Sequence, residues 1–342
     1  MLAQTIILDD FGIFLGKKGE RFVVKKSGGQ VAEFPAKEVE RILVSSRGAS
    51  VSSSALYLAV ENRVPVCFTY ASGKPFAFLT PTTGHGTVLT RRLQYAHAES
   101  DKGWCLAVSF VSGKLLNQAY LLGNWAKNRT RTSPAVSEQL FQKAQTVQRI
   151  MADAGSLQGP MSYEARLALM NLEGRAAAEY WSAVALISPA DFGFKNRTTR
   201  GAPDPVNKLL NYGYGILYSE VWSAVDTAGL DPFAGFLHVD RPGRPSMVLD
   251  LVEEFRQQVV DRVVLSLVVK KMLSPETVVE NGELSKNAKR VLADAVVERM
   301  NERVNVAEKS ITIQNAMVRQ AWAVSGFLRG ESQSYSPFVL KW

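Results

Sequence analysis

The rhythm of hydrophobic and polar positions changes once along this chain. Up to residue 85, short β-rich runs recur: QTIIL, GIFL, RFVVK, RILVS, PVCFTY and PFAFLT. Turn signals separate several of them, notably Gly28-Gly29 and Ser72-Gly73. One helix is expected among them, SSSALYLAVEN, whose serines supply an N-terminal start. PTTGHGT reads as a hinge, with His85 between two glycines as a loop residue rather than a ligand. Beyond it the apolar spacing is helical almost to the end. Helices are expected over 88–98, 104–127, 134–154, 162–186, 204–228, 246–273, 285–303 and 308–329, with Ser274-Pro275 as a stop and restart signal. The last residues, SQSYSPFVLKW, have no helical period and read as a tail. The pattern predicts an α+β chain, with a small β-rich N-terminal domain over 1–85 and a larger all-helical C-terminal domain over 86–342.

Two segments break the pattern with charge. In MNLEGRAAAEYW, at 100° per residue, Glu173 shares a face with Leu169, Met170, Ala176, Ala177 and Tyr180, while Glu164 and Glu179 project well away. An ionised carboxylate on a core-facing stripe is disfavoured unless a cation, a donor or a metal meets it. An arginine partner in the core would satisfy it, and so would a metal. Gly174 follows, a residue that lets another backbone or a ligand come close. The second segment is GFLHVDRPGRPSMVLDLVEEFRQQVV. His238 ends an apolar run before the DRPGRP turn, and a helix is expected from near Ser246. Asp250, Glu253 and Glu254 fall at i, i+3 and i+4 on one side of it, with Leu251, Val252, Phe255 and Val259 opposite. Three acids near a helix N-terminus can be a solvated face that suits the dipole. Taken with Glu173 and His238, one or two carboxylates at Asp250 and Glu253 instead complete a mixed oxygen and imidazole set suited to Mn²⁺ or Mg²⁺. Glu254 fits the solvated face best.

LEGRAAAEYW, DPVNKLLNYGYGILY and GLDPFAGFLHVDRPGRPSMVLDLVEEFR together resemble the signature blocks of the CRISPR-associated adaptation integrase, the Cas-one family. Order and spacing fit as well, and the similarity runs through most of the chain. DRPGRP resembles members found beside type I effector systems. The resemblance implies a β-rich first domain joined to a helical catalytic domain, and a DNA endonuclease and integrase that adds spacers to a CRISPR array. By the same resemblance Glu173, His238 and the acid three residues after Asp250, here Glu253, hold the metal. Some relatives carry Asp at that position, so ligation by Asp250 or Glu254 stays open. A divalent ion on this set would polarise a phosphodiester and activate a 3′-hydroxyl for integration or water for cleavage. The implied partners are double-stranded DNA (protospacer and CRISPR repeat), a second copy of the chain, and the small Cas-two protein. Edges of the short apolar strands in the first domain suit dimer formation.

Composition agrees. An apolar share of 46% over 342 residues supports two cores, and a formal net charge of +8 suits a protein that meets phosphate backbones. Lys195, Arg197, Arg200 and Lys208 lie between two expected helices, Arg241 and Arg244 flank the turn after His238, and Lys127, Arg129 and Arg131 follow Trp125. The expected DNA contacts are Lys195, Arg197, Arg200, Arg241 and Arg244, with Asn207 and Tyr212 lining the site or, for Asn207, capping the turn. Cys67 and Cys105 sit in apolar surroundings and read as buried thiols of a reducing cytoplasm. No signal peptide is evident and no apolar run approaches ~20 residues, so a cytoplasmic location without a membrane partner is expected. Two further readings compete: a stand-alone metal-dependent nuclease on branched or single-stranded DNA, and a non-catalytic DNA-binding scaffold whose acids are structural.

Overall fold

The structure is a computed structural model and describes residues 4–26, 29–70, 73, 75–79, 88–157, 162–199, 201–306 and 309–341. The hinge over 81–87 with His85, the turn signals at Gly28 and Ser72, and Arg200 lie outside the described residues. The chain divides into two compact units, Met1–Gly84 and His85–Trp342.

The first unit contains β1 (Gln4–Leu8), β2 (Phe14–Lys18), β3 (Arg21–Lys26), β4 (Gly29–Pro35), β5 (Val39–Val44), β6 (Ser50–Val51), α1 (Ser53–Glu61), β7 (Val66–Thr69) and β8 (Pro75–Leu79). One sheet has the order β1-β5-β7-β8, its first three strands parallel and β8 antiparallel at the edge. The other has the order β4-β3-β2-β6, an antiparallel meander with β6 parallel to β2. Between β2 and β3 a two-residue loop pairs Lys18 with Arg21, and Gly19 supplies its positive φ of 58°. Ser52 caps α1 by accepting from Ala55 N at 3.2 Å. Alternate residues of the strands and one face of α1 meet in a core containing Leu8, Leu15, Phe22, Ile42, Leu58 and Val66. Strand β4 was not expected: GQVAEFP carries few apolar residues and none of it is fully buried, so the pattern is weak there.

The second unit is built on α2 (Val88–Ala96), α3 (Asp101–Lys127), α4 (Pro134–Ser156), α5 (Tyr163–Ile187), α6 (Pro205–Thr227), α7 (Ser246–Val252), α8 (Arg262–Val269), α9 (Pro275–Val278), α10 (Lys286–Asn301) and α11 (Ile313–Arg329). Ser162, Asp204, Ser285 and Thr312 each accept a backbone N–H three residues on, which fixes the starts of α5, α6, α10 and α11. Helices α3, α4 and α5 pack in succession, and α6 packs against α7, α10 and α11. α3 is long and apolar enough to cross a membrane, but most of that apolar stretch is buried inside the protein. It is a core helix, and Lys114, Asn117 and Gln118 interrupt its apolar residues, so it holds no apolar run of the length a membrane span needs.

Four expectations need correction in this unit. It is not all helical: β9 (Val279–Glu280) pairs with β10 (Glu283–Leu284), and β11 (Arg303–Val306) with β12 (Lys309–Thr312). The helix expected over 246–273 is interrupted after α7 by a turn and by a π-helical segment, Gln257–Asp261. Finally, the last residues are not a loose tail. Tyr335, Phe338 and Leu340 are buried, and Phe338 stacks on Phe255 with ring centroids 4.6 Å apart. The strand of chain fits a notch at Gly113, where a Cβ would come within 2.6 Å of Pro337 Cβ. Cys67 is buried as expected, whereas Cys105 faces outward on α3 and is exposed.

Candidate active site

Helix α3 delivers a lysine into the space between α5 and the end of α7. Lys114 is nearly buried, donates to Glu173 Oε1 and lies 2.8 Å from Glu253 Oε2. That 2.8 Å approach pairs the Lys114 ammonium with both glutamates at once. Arg256 Nη2 approaches the other oxygen, Glu253 Oε1, at 3.3 Å. Burial alone would push the Glu253 carboxyl up, yet Arg256, Lys114 and His238 outweigh it and hold its pKa at about 2. The same balance acts on Lys114: burial opposes its charge, and Glu173 and Glu253 raise its pKa above the ordinary value.

His238 is positioned from behind by Asp250. The run GFLH is a loop rather than a strand, with Phe236 and Leu237 buried. Asp250 has no exposed surface and accepts from Phe236 N at 2.6 Å, Leu237 N at 2.9 Å and His238 N at 3.0 Å, and contacts His238 Nδ1 at 2.7 Å. Gly235 permits this approach, since a Cβ there would lie 2.9 Å from Asp250 Oδ2. An ionised carboxylate only accepts, so Nδ1 carries its proton towards Asp250 and Nε2 of neutral His238 keeps a free lone pair. Burial lowers the His238 pKa, but the Asp250 bond and the charges of Asp250, Glu253 and Glu173 raise it overall.

Glu173, His238 and Glu253 therefore share one electrostatic neighbourhood. Among the described residues, no three His, Cys, Asp or Glu side chains converge closely enough to hold a metal as arranged, and Lys114 Nζ lies between the two glutamates. The donor set nevertheless fits a hard divalent cation. Two carboxylates already gather around one positive charge, and an imidazole with one nitrogen pinned feels the charge of both. Asp250 stands behind His238 with its oxygens occupied by three backbone N–H groups and the imidazole. Glu254 is not on a solvated face. It is fully buried, accepts from Tyr335 OH at 2.6 Å, Phe338 N at 2.7 Å and Gln320 Nε2 at 3.0 Å, and burial raises its pKa to about 7. Leu251, Val252, Phe255 and Val259 are buried as well, so this stretch has no solvent side.

A polar cluster supports the site from below. Asp261, on the π-helical segment, accepts from Tyr180 OH at 2.8 Å and from Tyr214 OH. Two guanidiniums approach the Tyr214 ring, Arg197 at 5.3 Å and Arg256 at 5.0 Å from its centroid. Burial raises the Asp261 pKa to about 6 despite these donors and cations. Neither Lys114, Arg256, Tyr214 nor Asp261 was expected from sequence. Lys114 carries the signal that exposed Glu173, a charge in an apolar helical stretch, in VSGKLL, whereas Asp261 is followed directly by Arg262 in VVDRVV and carries no such signal.

The expected DNA contacts divide. Lys195 and Arg241 are exposed and Arg244 is half-buried, and Arg241 lines an open groove with Tyr95, Asp231 and Phe233. Arg197 is tied into the protein instead, donating to Thr198 O, Asn207 Oδ1 and Asn211 Oδ1. Asn207 is buried and organises the same loop, accepting from Thr198 N and donating to Asn196 O and Asp204 Oδ2, so the turn-capping alternative describes it. Tyr212 is half-buried under Lys289, 5.9 Å from its ring centroid, and the tyrosine beside the acids is Tyr214. Trp125 stacks on Tyr180 in the core and offers no platform for a base.

The sequence family described as CRISPR associated protein Cas1 matches residues 6–299. The chain belongs to the Cas1 family. It is 36% identical over 348 aligned residues to the CRISPR-associated endonuclease Cas1 1 of Archaeoglobus fulgidus, covering 99% of this chain and 100% of that protein. Among solved structures it is similar to a casposase bound to integration product, with a TM-score of 0.83 at 19% identity over 97% of this chain and 92% of that one. It is also similar to a chain of a Cas6-RT-Cas1–Cas2 complex, with a TM-score of 0.77 at 18% identity over 98% of this chain and 36% of that one. At such identities the structural likeness shows the Cas1 fold alone, a strand-rich N-terminal region followed by a helical C-terminal one.

Proposed function

We propose that this Cas1-family chain is a metal-dependent DNA endonuclease and integrase that inserts new spacers into a CRISPR array. The observation that carries the reading is the convergence of Glu173 and Glu253 on one cation position, with His238, its Nδ1 held by Asp250, near enough to feel both charges. Glu173, Glu253 and His238 Nε2 would hold Mg²⁺ or Mn²⁺. Such an ion supplies Lewis acidity to the scissile phosphodiester and makes a bound hydroxyl more acidic. The chain's own residues do the rest. Arg256 balances the second oxygen of Glu253, so that carboxylate stays ionised in a buried setting. Asp250 keeps His238 in one tautomer and one orientation. Arg241 and Arg244, on the turn after His238, and Lys195 would hold phosphates.

In the integration step, the 3′-oxygen of incoming DNA bonds to phosphorus as the resident P–O bond breaks. The hydroxyl proton leaves and the departing 3′-oxygen takes one up, so no ATP is consumed. With water as nucleophile the same balance gives cleavage. Two such transfers are needed at the two ends of a repeat, which favours a homodimer, joined by the small Cas2 protein. The Cas1–Cas2 assembly and the integration product that appear among the structural neighbours support these partners. The two free cysteines suit a reducing cytoplasm.

The test is strand transfer of a 3′-hydroxyl duplex into a plasmid carrying a repeat, with Cas2, in Mn²⁺ and in EDTA. Metal-dependent joining is expected. Metal-dependent cleavage with no joining would favour the stand-alone nuclease. DNA binding with neither reaction would favour the scaffold.

A further inference from the structure

The proposed reaction leaves one buried cation without a task. Lys114 is the only charged residue of α3 between Gly103 and Ala126, in a helix otherwise committed to packing. Its side chain is 12% exposed and lies against Glu173 and Glu253. Leu115 and Asn117 are fully buried beside it, and Asn117 is bonded to Glu254 O and Phe338 O. Gly113, on its other side, is covered by Pro337. The backbone at Lys114 is therefore fixed on both sides, and the flexible four-carbon stem is the part that can move.

A divalent ion held by both glutamates must sit roughly 2.0–2.6 Å from their oxygens. That is the space taken by the Lys114 ammonium. An ammonium and a dication cannot both sit between two carboxylates at such separations without strong repulsion. Arg256 supplies further positive charge from the far side of Glu253, so the site is not short of cations.

We propose that Lys114 is the resident counter-ion of this site: it gathers Glu173 and Glu253 in the metal's place and must swing out before Mg²⁺ or Mn²⁺ binds. The inference rests on the metal reading of the site. It makes Lys114 a positioning residue that prearranges the ligands and at the same time weakens metal affinity.

Calorimetric Mn²⁺ titration of the full chain, alongside thermal unfolding with and without Mn²⁺, tests it in the wild type, Lys114→Met and Lys114→Arg. Lys114→Met is expected to bind Mn²⁺ at least tenfold tighter than wild type. Without Mn²⁺ it should unfold at a lower temperature, and saturating Mn²⁺ should remove that deficit. Lys114→Arg keeps a cation between the acids and should bind Mn²⁺ no tighter than wild type. Lys114→Gln, neutral yet able to donate, should tighten binding as Lys114→Met does and serves if the methionine variant does not fold. Equal or weaker affinity in the neutral variants, with binding itself intact, overturns the counter-ion role and leaves the metal reading standing. Absence of Mn²⁺ binding in the wild type and in every variant overturns the metal reading, and the inference with it.

Discussion

Glu253 and Glu254 are consecutive, chemically identical and both buried, yet they face opposite kinds of surroundings. Glu253 looks towards Lys114 and Arg256, and its pKa falls to about 2. Glu254 looks towards Tyr335, Gln320 and the Phe338 backbone, all neutral donors, and its pKa rises to about 7. Burial penalises the charge in both cases, and only full opposite charges reverse that penalty. A carboxylate kept charged by mobile cations can exchange one of them for a metal. One satisfied by fixed neutral donors can anchor a chain segment and little else. The front of this stretch is thus suited to reaction and its back to construction.

The largest expected effect lies on the front. Glu173→Ala, His238→Ala and Glu253→Ala should each drop strand transfer below about a hundredth of wild type in Mn²⁺, since each removes a donor from a hard-cation site. Circular dichroism and DNA binding should stay near wild type. Full activity in any one at saturating Mn²⁺ would remove that residue from the ligand set.

On the back, Glu254→Ala should cost stability. It leaves Tyr335 OH and Phe338 N buried without their acceptor, a loss of about 2–4 kcal/mol in urea unfolding. Mn²⁺ affinity of the folded variant should not change. The pH dependence follows from the raised carboxyl. Its folded pKa of about 7 exceeds the ordinary 4.5, so the folded state binds the proton more tightly than the unfolded state. That stabilisation is complete below pH 4.5 and is lost as pH rises through about 7. The loss is on the order of 3 kcal/mol. Asp261, raised from 3.8 to about 6, acts in the same direction, lost as pH rises through about 6. Glu253 acts oppositely, but only as pH falls from 4.5 towards about 2. Glu254→Gln should therefore flatten the stability profile between pH 5 and pH 8; an unchanged slope would place the titration elsewhere.

Asp250→Asn sits between the two sides. It keeps the shape but turns one of two accepting oxygens into an NH2 that meets only N–H donors, which loosens the hold on His238, and Mn²⁺ affinity should weaken about 10–100-fold. An unaltered affinity would show that His238 does not ligate through Nε2. The smallest effect concerns the surface. Replacing Arg241 and Arg244 with Ala should reduce the slope of log K against log salt for duplex binding by about 2, with little change at Arg197, whose donors are engaged within its own loop.

How much of this was legible in the sequence depended on how local the cause was. Helix bounds such as α3 to α6 followed from apolar spacing and from capping residues within a few positions. Glu173 stood out because its helix was apolar around it, a signal that applied equally to Lys114. The β9–β10 hairpin had its own mark, Asn281-Gly282, both with positive φ, but it was too short to show strand alternation. Glu254 could not be placed from its neighbours, because its partner Tyr335 is 81 residues away. Asp250, Glu253 and Glu254 read as one face only while the opposite face was assumed to be the sole core. Once the segment is buried on all sides, each acid answers to a different neighbour.

The direct test of the contrast is calorimetric Mn²⁺ binding to Glu253→Gln and Glu254→Gln measured side by side, with both variants verified as folded. Affinity at least tenfold weaker in Glu253→Gln and unchanged in Glu254→Gln is the predicted result. Equal affinities in the two variants, or a loss confined to Glu254→Gln, would contradict the assignment of the front as the metal-binding side.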